Sequence, residues 1–235
     1  MDCKTVQSKL RAQADQSVAE HSRRFFKTGP GEYGEGDRFL GLRVPLQRKI
    51  ARSHQTLPME ETERLLQSEF HEERLTALFI LVYKFEKGGN QKREAIYRCY
   101  LRNLEQVNNW DLVDSSAPKI MGPYLEQRDR SILYRLAKSN NLWKRRIAMI
   151  SCMHFIRKGD FEDALNIARI LRDDTHDLIQ KAVGWMLREI GHIDIKVEEQ
   201  FLKENRYREL PRTLLRYAIE KFPEEKRQAY LSGNM

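Results

Sequence analysis

The chain repeats itself at intervals of 35 residues, and a repeat of that length restricts the fold more than any other feature of the sequence. Ala77, Leu112, Ile147 and Ala182 share one register, and Leu78, Val113, Ala148 and Val183 the next. Val82, Ala117, Cys152 and Leu187 follow, then Phe85, Ile120, Phe155 and Ile190; all sixteen positions are apolar. Offsets of 0, 1, 5 and 8 put the four positions of one unit within roughly a 140° arc of a helix, so each unit carries one amphipathic helix. The same periodicity runs over Met59 to Phe70, Lys92 to Leu104, Tyr124 to Ala137, Phe161 to Leu171 and Val197 to Glu204, which makes each repeat a helical pair. Gly88-Gly89-Asn90, Gly122-Pro123, Gly159-Asp160 and Gly191-His192 mark the breaks, and Pro211 and Pro223 enter the last two helices.

No alternating run of β-branched residues competes with this pattern, and helix formers dominate throughout. The fold class expected is all-α: a curved solenoid of HEAT-like antiparallel helix pairs whose neighbours bury each other's apolar faces. One domain spans 1–235, with N-terminal capping helices over 1–57, repeats over 58–209 and C-terminal capping helices over 210–235. The stretch from Thr28 to Asp37 is too rich in glycine for a helix and reads as a flexible loop. Its glycines do not form a nucleotide-binding loop, because no Lys-Ser/Thr follows and Glu32, Glu35 and Asp37 would repel phosphate.

Charge narrows the partners. Lys and Arg number 42 against 34 Asp and Glu, a formal net charge of +8, which biases the chain toward polyanions. The longest apolar-aromatic run, Ala77 to Tyr83, is about a third of the roughly 20 residues a membrane-spanning helix needs. The N-terminus lacks the apolar core of a secretory signal, so a cytoplasmic protein with no membrane partner is expected. Cys3, Cys99 and Cys152 are widely separated, form no metal-ligand pattern and read as reduced thiols.

The segment Asn108 to Pro118 opens one of the repeat helices and carries the candidate chemistry. Asn109 is a good N-cap, and Asp111 in the first turn is explained by the helix dipole. Asp114 shares its register with Phe79, Met149 and Gly184, so a carboxylate stands where other units place a non-acidic residue. The tryptophans are Trp110, Trp143 and Trp185; Trp143 reads as core, and Trp110 and Trp185 could present a ring to a ligand. Lys144, Arg145 and Arg146, then Lys181 and Arg188 one unit later, recur as a cationic row suited to phosphates.

Trp-Asp-x-Val-Asp at 110–114, Leu-Trp-x-x-Arg at 142–146 and Ile-Gln-Lys-Ala-Val-Gly-Trp-x-Leu-Arg-Glu at 179–189 resemble the AlkD-type DNA alkylation repair glycosylases, from about Phe39 to Ile219. The resemblance implies excision of positively charged N3- and N7-alkylated purines from duplex DNA as part of base excision repair. It implies that Asp114 is the catalytic carboxylate, that Trp110 and Trp185 flank the deoxyribose, and that Arg146 and Arg188 contact DNA; Arg145 and Lys181 join them from the cationic row. No cofactor and no metal are implied, and a monomer is expected. Phe25-Phe26 stands where the characterised type of the family has a tyrosine near DNA, and the 28–37 loop is longer than in that type.

The chemistry is consistent with a single carboxylate. A cationic alkylpurine departs as a neutral base, so no general acid is needed, and one Asp can stabilise the oxocarbenium-like sugar and orient water. No lysine stands in a Schiff-base motif, so a monofunctional enzyme without strand cleavage is expected. The alternatives are a non-catalytic DNA-binding solenoid and a protein-interaction scaffold of the same fold.

Overall fold

The computed structural model describes residues 2–235 and is all-α: no strand occurs among the described residues, where a single isolated bridge pairs Arg38 with Phe70. The chain packs as two compact units, one up to Tyr124 and one from Leu125 on. All sixteen apolar register positions are core, none more than 3% exposed. No helix among the described residues is long and apolar enough to cross a membrane.

The first unit holds α1 (Cys3–Arg11), α2 (Gln16–Phe25), α3 (Val44–Ser53), α4 (Met59–Leu66), α5 (His71–Lys87), α6 (Asn90–Arg102) and nearly all of α7 (Trp110–Leu125). Helix α5 is its axis: α1, α3, α4 and α6 all pack on it, and it is buried from His71 through Val82. Its first turn is charged as well as buried, which no amphipathic pattern foretells. Glu72 accepts hydrogen bonds from three successive amides, Leu40 (2.9 Å), Gly41 (2.8 Å) and Leu42 (3.1 Å). That turn needs glycine, since Gly41 has φ +86° and a Cβ there would lie 2.0 Å from the Asp15 carbonyl oxygen. Glu73 accepts from Arg11 (2.7 Å), Gln7 (2.8 Å) and Ser68 (2.6 Å). These contacts fix α1 and the entry to α3 against α5.

The second unit holds α8 (Ser131–Ala137), α9 (Leu142–Ser151), α10 (Met153–Ile156), α11 (Glu162–Leu171), α12 (Asp177–Ile193), α13 (Ile195–Glu204), α14 (Arg212–Ala218) and α15 (Glu224–Ser232). Helix pairing follows the repeat, α8 on α9 and α11 on α12, and α12 also packs closely on α14.

Two expectations need correction. Gly122-Pro123 does not end a helix: α7 runs through Pro118 and Pro123 to Leu125, because burial of Ile120, Met121 and Leu125 offsets the missing hydrogen bonds. Tyr124 to Ala137 is not one helix either. Asp129 takes the Ser131 amide (2.9 Å) and starts α8 afresh, while Arg130 donates to the carbonyls of Leu125 (3.4 Å) and Glu126 (3.0 Å) and pairs with Asp160 and Asp163. The 28–37 stretch carries no helix, as expected, and is a chain of hydrogen-bonded turns, with Gly34 donating to Lys27 (3.0 Å) and Asp37 to Gly34 (3.0 Å).

Gly184 marks the closest approach of α12 and α14. A Cβ there would lie 2.4 Å from the Leu214 carbonyl oxygen and 2.5 Å from the Tyr217 Cβ. Gly184→Ala must therefore push backbone apart, and it is expected to lower unfolding free energy by about 1–3 kcal/mol in urea denaturation, despite alanine's better helix propensity.

Candidate active site

The site is built around the start of α7. The 3₁₀ turn Leu104–Gln106 delivers the chain to Asn109, whose Oδ1 accepts the Trp110 amide (2.8 Å) while its carbonyl accepts the Val113 amide (3.1 Å). This N-cap fixes where the helix begins. Trp110 and Asp114 are separated by four residues, one turn, and therefore lie on one face. Both line a cleft of about 880 Å³, together with Asp111, Ser115 and Lys119 from α7, His21, Phe25 and Phe26 from α2 and its end, and Arg43 and Arg48 at α3. Tyr100, whose hydroxyl lies 2.9 Å from the Ser116 hydroxyl, is fully buried; burial, and with it the Asp114 charge, push its phenol pKa up.

Trp110 is the end of an aromatic stack. Its ring lies 5.2 Å from Phe26 at 22°, Phe26 lies 5.1 Å from Phe39 at 18°, and Phe39 lies 4.5 Å from His71 at 21°. Phe25, 56% exposed, meets Trp110 edge-on at 5.8 Å. His71 is 1% exposed and lies between two carboxylates, Nδ1 to Asp37 Oδ2 at 2.7 Å and Nε2 to Asp111 Oδ2 at 2.9 Å. Arg74 takes the other Asp37 oxygen at 2.7 Å and Asn108 Oδ1 at 3.1 Å. Burial works against a charged Asp37, but His71 and Arg74 outweigh it and hold its carboxyl below the ordinary carboxylate range. Asp111 thus does more than favour the helix dipole: it ties the first turn of α7 to α5.

The first unit brings Asp114 and Trp110 into one cleft. The remaining predicted residues belong to the second unit, where Trp185 is half-buried and its indole donates to Glu189 (3.0 Å). Arg146 is buried and donates to the Leu178 carbonyl (2.5 Å). Arg145 pairs with Asp174 (2.6 Å) and donates to the carbonyls of Ser139 and Asn140. Arg188 pairs with Glu220 and Lys181 with Asp177 (2.9 Å). By contrast Arg43, Arg48, Lys49 and Arg52 meet no carboxylate within ion-pair distance among the described residues; Arg48 and Arg52 lie over the Phe79 and Tyr83 rings at 4.1 and 5.9 Å. Sequence reasoning passed over these four, although no acid occurs between Arg43 and Ser53. It also passed over His71 and Asp37, which nothing local in the sequence distinguishes.

Residues 6–222 match the family described as DNA alkylation repair enzyme. The chain belongs to that family. Among solved structures it is similar to a predicted DNA alkylation repair enzyme from Enterococcus faecalis, with a TM-score of 0.68 and 18% identity over 90% of this chain and 98% of that one. It is also similar to AlkD2 from Streptococcus mutans, with a TM-score of 0.54 and 16% identity over 95% and 100% of the two chains. At these identities the likeness is one of fold. No curated protein is similar enough to match the chain.

In this DNA alkylation repair protein, Phe26 is the member of the stack that touches Trp110, Phe39 and His71 alike. Phe26→Ala is expected to cost about 1–3 kcal/mol of stability and to shift tryptophan emission to the red as water reaches the indole, both read in one fluorescence-detected denaturation series.

Proposed function

We propose that the chain is a monofunctional DNA glycosylase that hydrolyses the N-glycosidic bond of positively charged N3- and N7-alkylated purines in duplex DNA, acting in base excision repair. The observation that carries this reading is the placement of Asp114 beside Trp110 in an open cleft. The matching positions Phe79, Met149 and Gly184 are buried, so only in α7 does this register face a space that a substrate could enter. Family membership supports DNA damaged by alkylation as the substrate class.

On this reading the glycosidic electron pair leaves with the base and neutralises its positive charge, so no proton is needed on the leaving group. Asp114 stabilises the cationic sugar electrostatically, orients water toward the anomeric carbon and accepts the proton released as the carbon–oxygen bond forms. Trp110 offers its ring to the developing cation, an interaction worth roughly 0.5–2 kcal/mol. Trp185 supplies a second indole. Arg188, Lys181, Arg145 and Arg146 contact DNA, the first three by exchanging their acidic partners for phosphate and Arg146 from the same helix α9 as Arg145. Arg43 and Arg48, at the rim of the cleft, serve as phosphate contacts that break no ion pair. The reading takes residues 1–235 as one repeat domain acting as a cytoplasmic monomer without cofactor or metal.

The test is release of free base from a duplex carrying a single N7-methylguanine, by the wild type and Asp114→Asn. Release is expected to fall by about 10²–10³-fold in the variant, with duplex binding retained. Salt-sensitive binding with no release from either protein would replace this reading with that of a non-catalytic DNA-binding repeat protein. Binding of undamaged duplex by Arg43→Gln/Arg48→Gln, followed against salt, is expected to show a slope of log affinity on log salt smaller by about 1.8, since each phosphate contact contributes about 0.9.

A further inference from the structure

The cluster of His71, Asp37, Asp111 and Arg74 is buried, titratable and unused by the chemistry above. Each nitrogen of the His71 ring faces a carboxylate oxygen, at 2.7 and 2.9 Å. A neutral imidazole carries one N–H and would aim its lone pair at a carboxylate, so this geometry calls for a proton on both nitrogens. With Arg74 on Asp37, two cations meet two carboxylates and the cluster closes at zero net charge.

What the ring holds is the beginning of α7. Asp111 accepts from His71 through Oδ2 and from the Leu112 amide through Oδ1 (2.8 Å). Asn108 is held by Arg74. Trp110 lies between these anchors, and its own ring is referred back to His71 through the Phe26 and Phe39 stack. The backbone and the indole of Trp110 therefore both depend on the same imidazole, and Asp114 follows one turn later on the same helix.

We propose that His71, in its doubly protonated form, is the positioning residue of this site, locking Trp110 and Asp114 in place from behind the cleft wall. The inference rests on the glycosylase reading for its rate consequences and on geometry alone for the clamp. Loss of the ring proton would leave Asp37 and Asp111 opposed across a neutral ring and release the first turn of α7. The charged groups facing the ring are Asp111 from α7, Asp37 from the turn-rich 28–37 segment and Arg74 from α5 itself; Phe26 and Phe39 contribute no charge. Burial opposes the imidazolium, but the two carboxylates outweigh it, Asp111 foremost, and its pKa is raised to about 9. The clamp is closed at neutral pH and opens in mild alkali.

The raised value means that the stability contributed by the protonated ring is complete below about 6.5, its ordinary value, and is lost as pH rises through about 9. The melting-temperature gap between wild type and His71→Gln is therefore widest in mild acid and closes above pH 9.

The deciding experiment compares wild type, His71→Gln and Asp111→Asn by nitrogen-detected imidazole NMR, tryptophan emission and single-turnover base release, each across pH 6–10. The wild-type His71 ring is expected to lose its proton near pH 9, with Trp emission and an alkaline limb of the rate changing at the same pH. Asp111→Asn, which keeps a hydrogen-bonding group but removes a charge, should shift all three to lower pH. His71→Gln should lower the maximal rate by about 10–100-fold and lose that limb. A ring that titrates near 6.5, or emission indifferent to its titration, overturns the clamp. If the wild type releases no base, the glycosylase reading fails, and the NMR and emission titrations still decide the clamp. Should His71→Gln not fold, the shift in Asp111→Asn carries the test.

Discussion

Four side chains with ionisable groups, buried in succession at the start of α5, decide how the segments of the first unit are joined. His71, Glu72, Glu73 and Arg74 are each almost wholly removed from water, and a buried charge that loses its partner typically costs 3–5 kcal/mol. Each therefore demands a partner, and each recruits a different piece of chain. His71 takes Asp37 and Asp111, Glu72 takes the amides of residues 40–42, Glu73 takes Arg11 and Gln7, and Arg74 takes Asp37 and Asn108. Apolar packing would tolerate these segments in several arrangements of similar energy. Directional bonds to four fixed charges leave one, which ties the entry to α3, the 28–37 turns and the start of α7 to the same helix.

That constraint explains how a repeat makes a site in one place. Repetition buries equivalent positions equivalently, as Phe79, Met149 and Gly184 illustrate, the last packed so tightly on α14 that a methyl group does not fit. The Asp114 register escapes because α2, α3 and the turns between them, held by the α5 charges, leave a cleft beside α7. A carboxylate at an internal position would face core and be protonated or expelled. At the cleft it can meet a cationic sugar, as the proposed glycosylase chemistry requires.

The sequence reveals its repeats and hides its cross-links for one reason. Apolar periodicity is local, so the sixteen register positions are readable along the chain and all prove to be core. The positions of Trp110 and Asp114 on one helical face are readable in the same way. Breaks are harder, because proline and glycine at 122–123 signal an end that burial of Ile120, Met121 and Leu125 overrides. Asp37 lies 34 residues from His71, and Asp111 lies 40 beyond it. No spacing rule joins them, and a His-Glu-Glu-Arg run before an apolar helix has the look of a solvated first turn.

The cations carry the same lesson about charge. Arginine at 145 or 146 and arginine at 48 or 52 are indistinguishable in composition, yet Arg145 and Arg146 close internal contacts while Arg48 and Arg52 lie on aromatic rings of α5. A guanidinium that already satisfies a carboxylate must give that bond up before it can serve a phosphate, so much of its attraction is cancelled by the exchange. One supported by a ring face keeps its donors and nearly all its charge for an anion. A basic sequence therefore does not locate a polyanion surface; the distribution of acids around its cations does, and that distribution is a property of the fold.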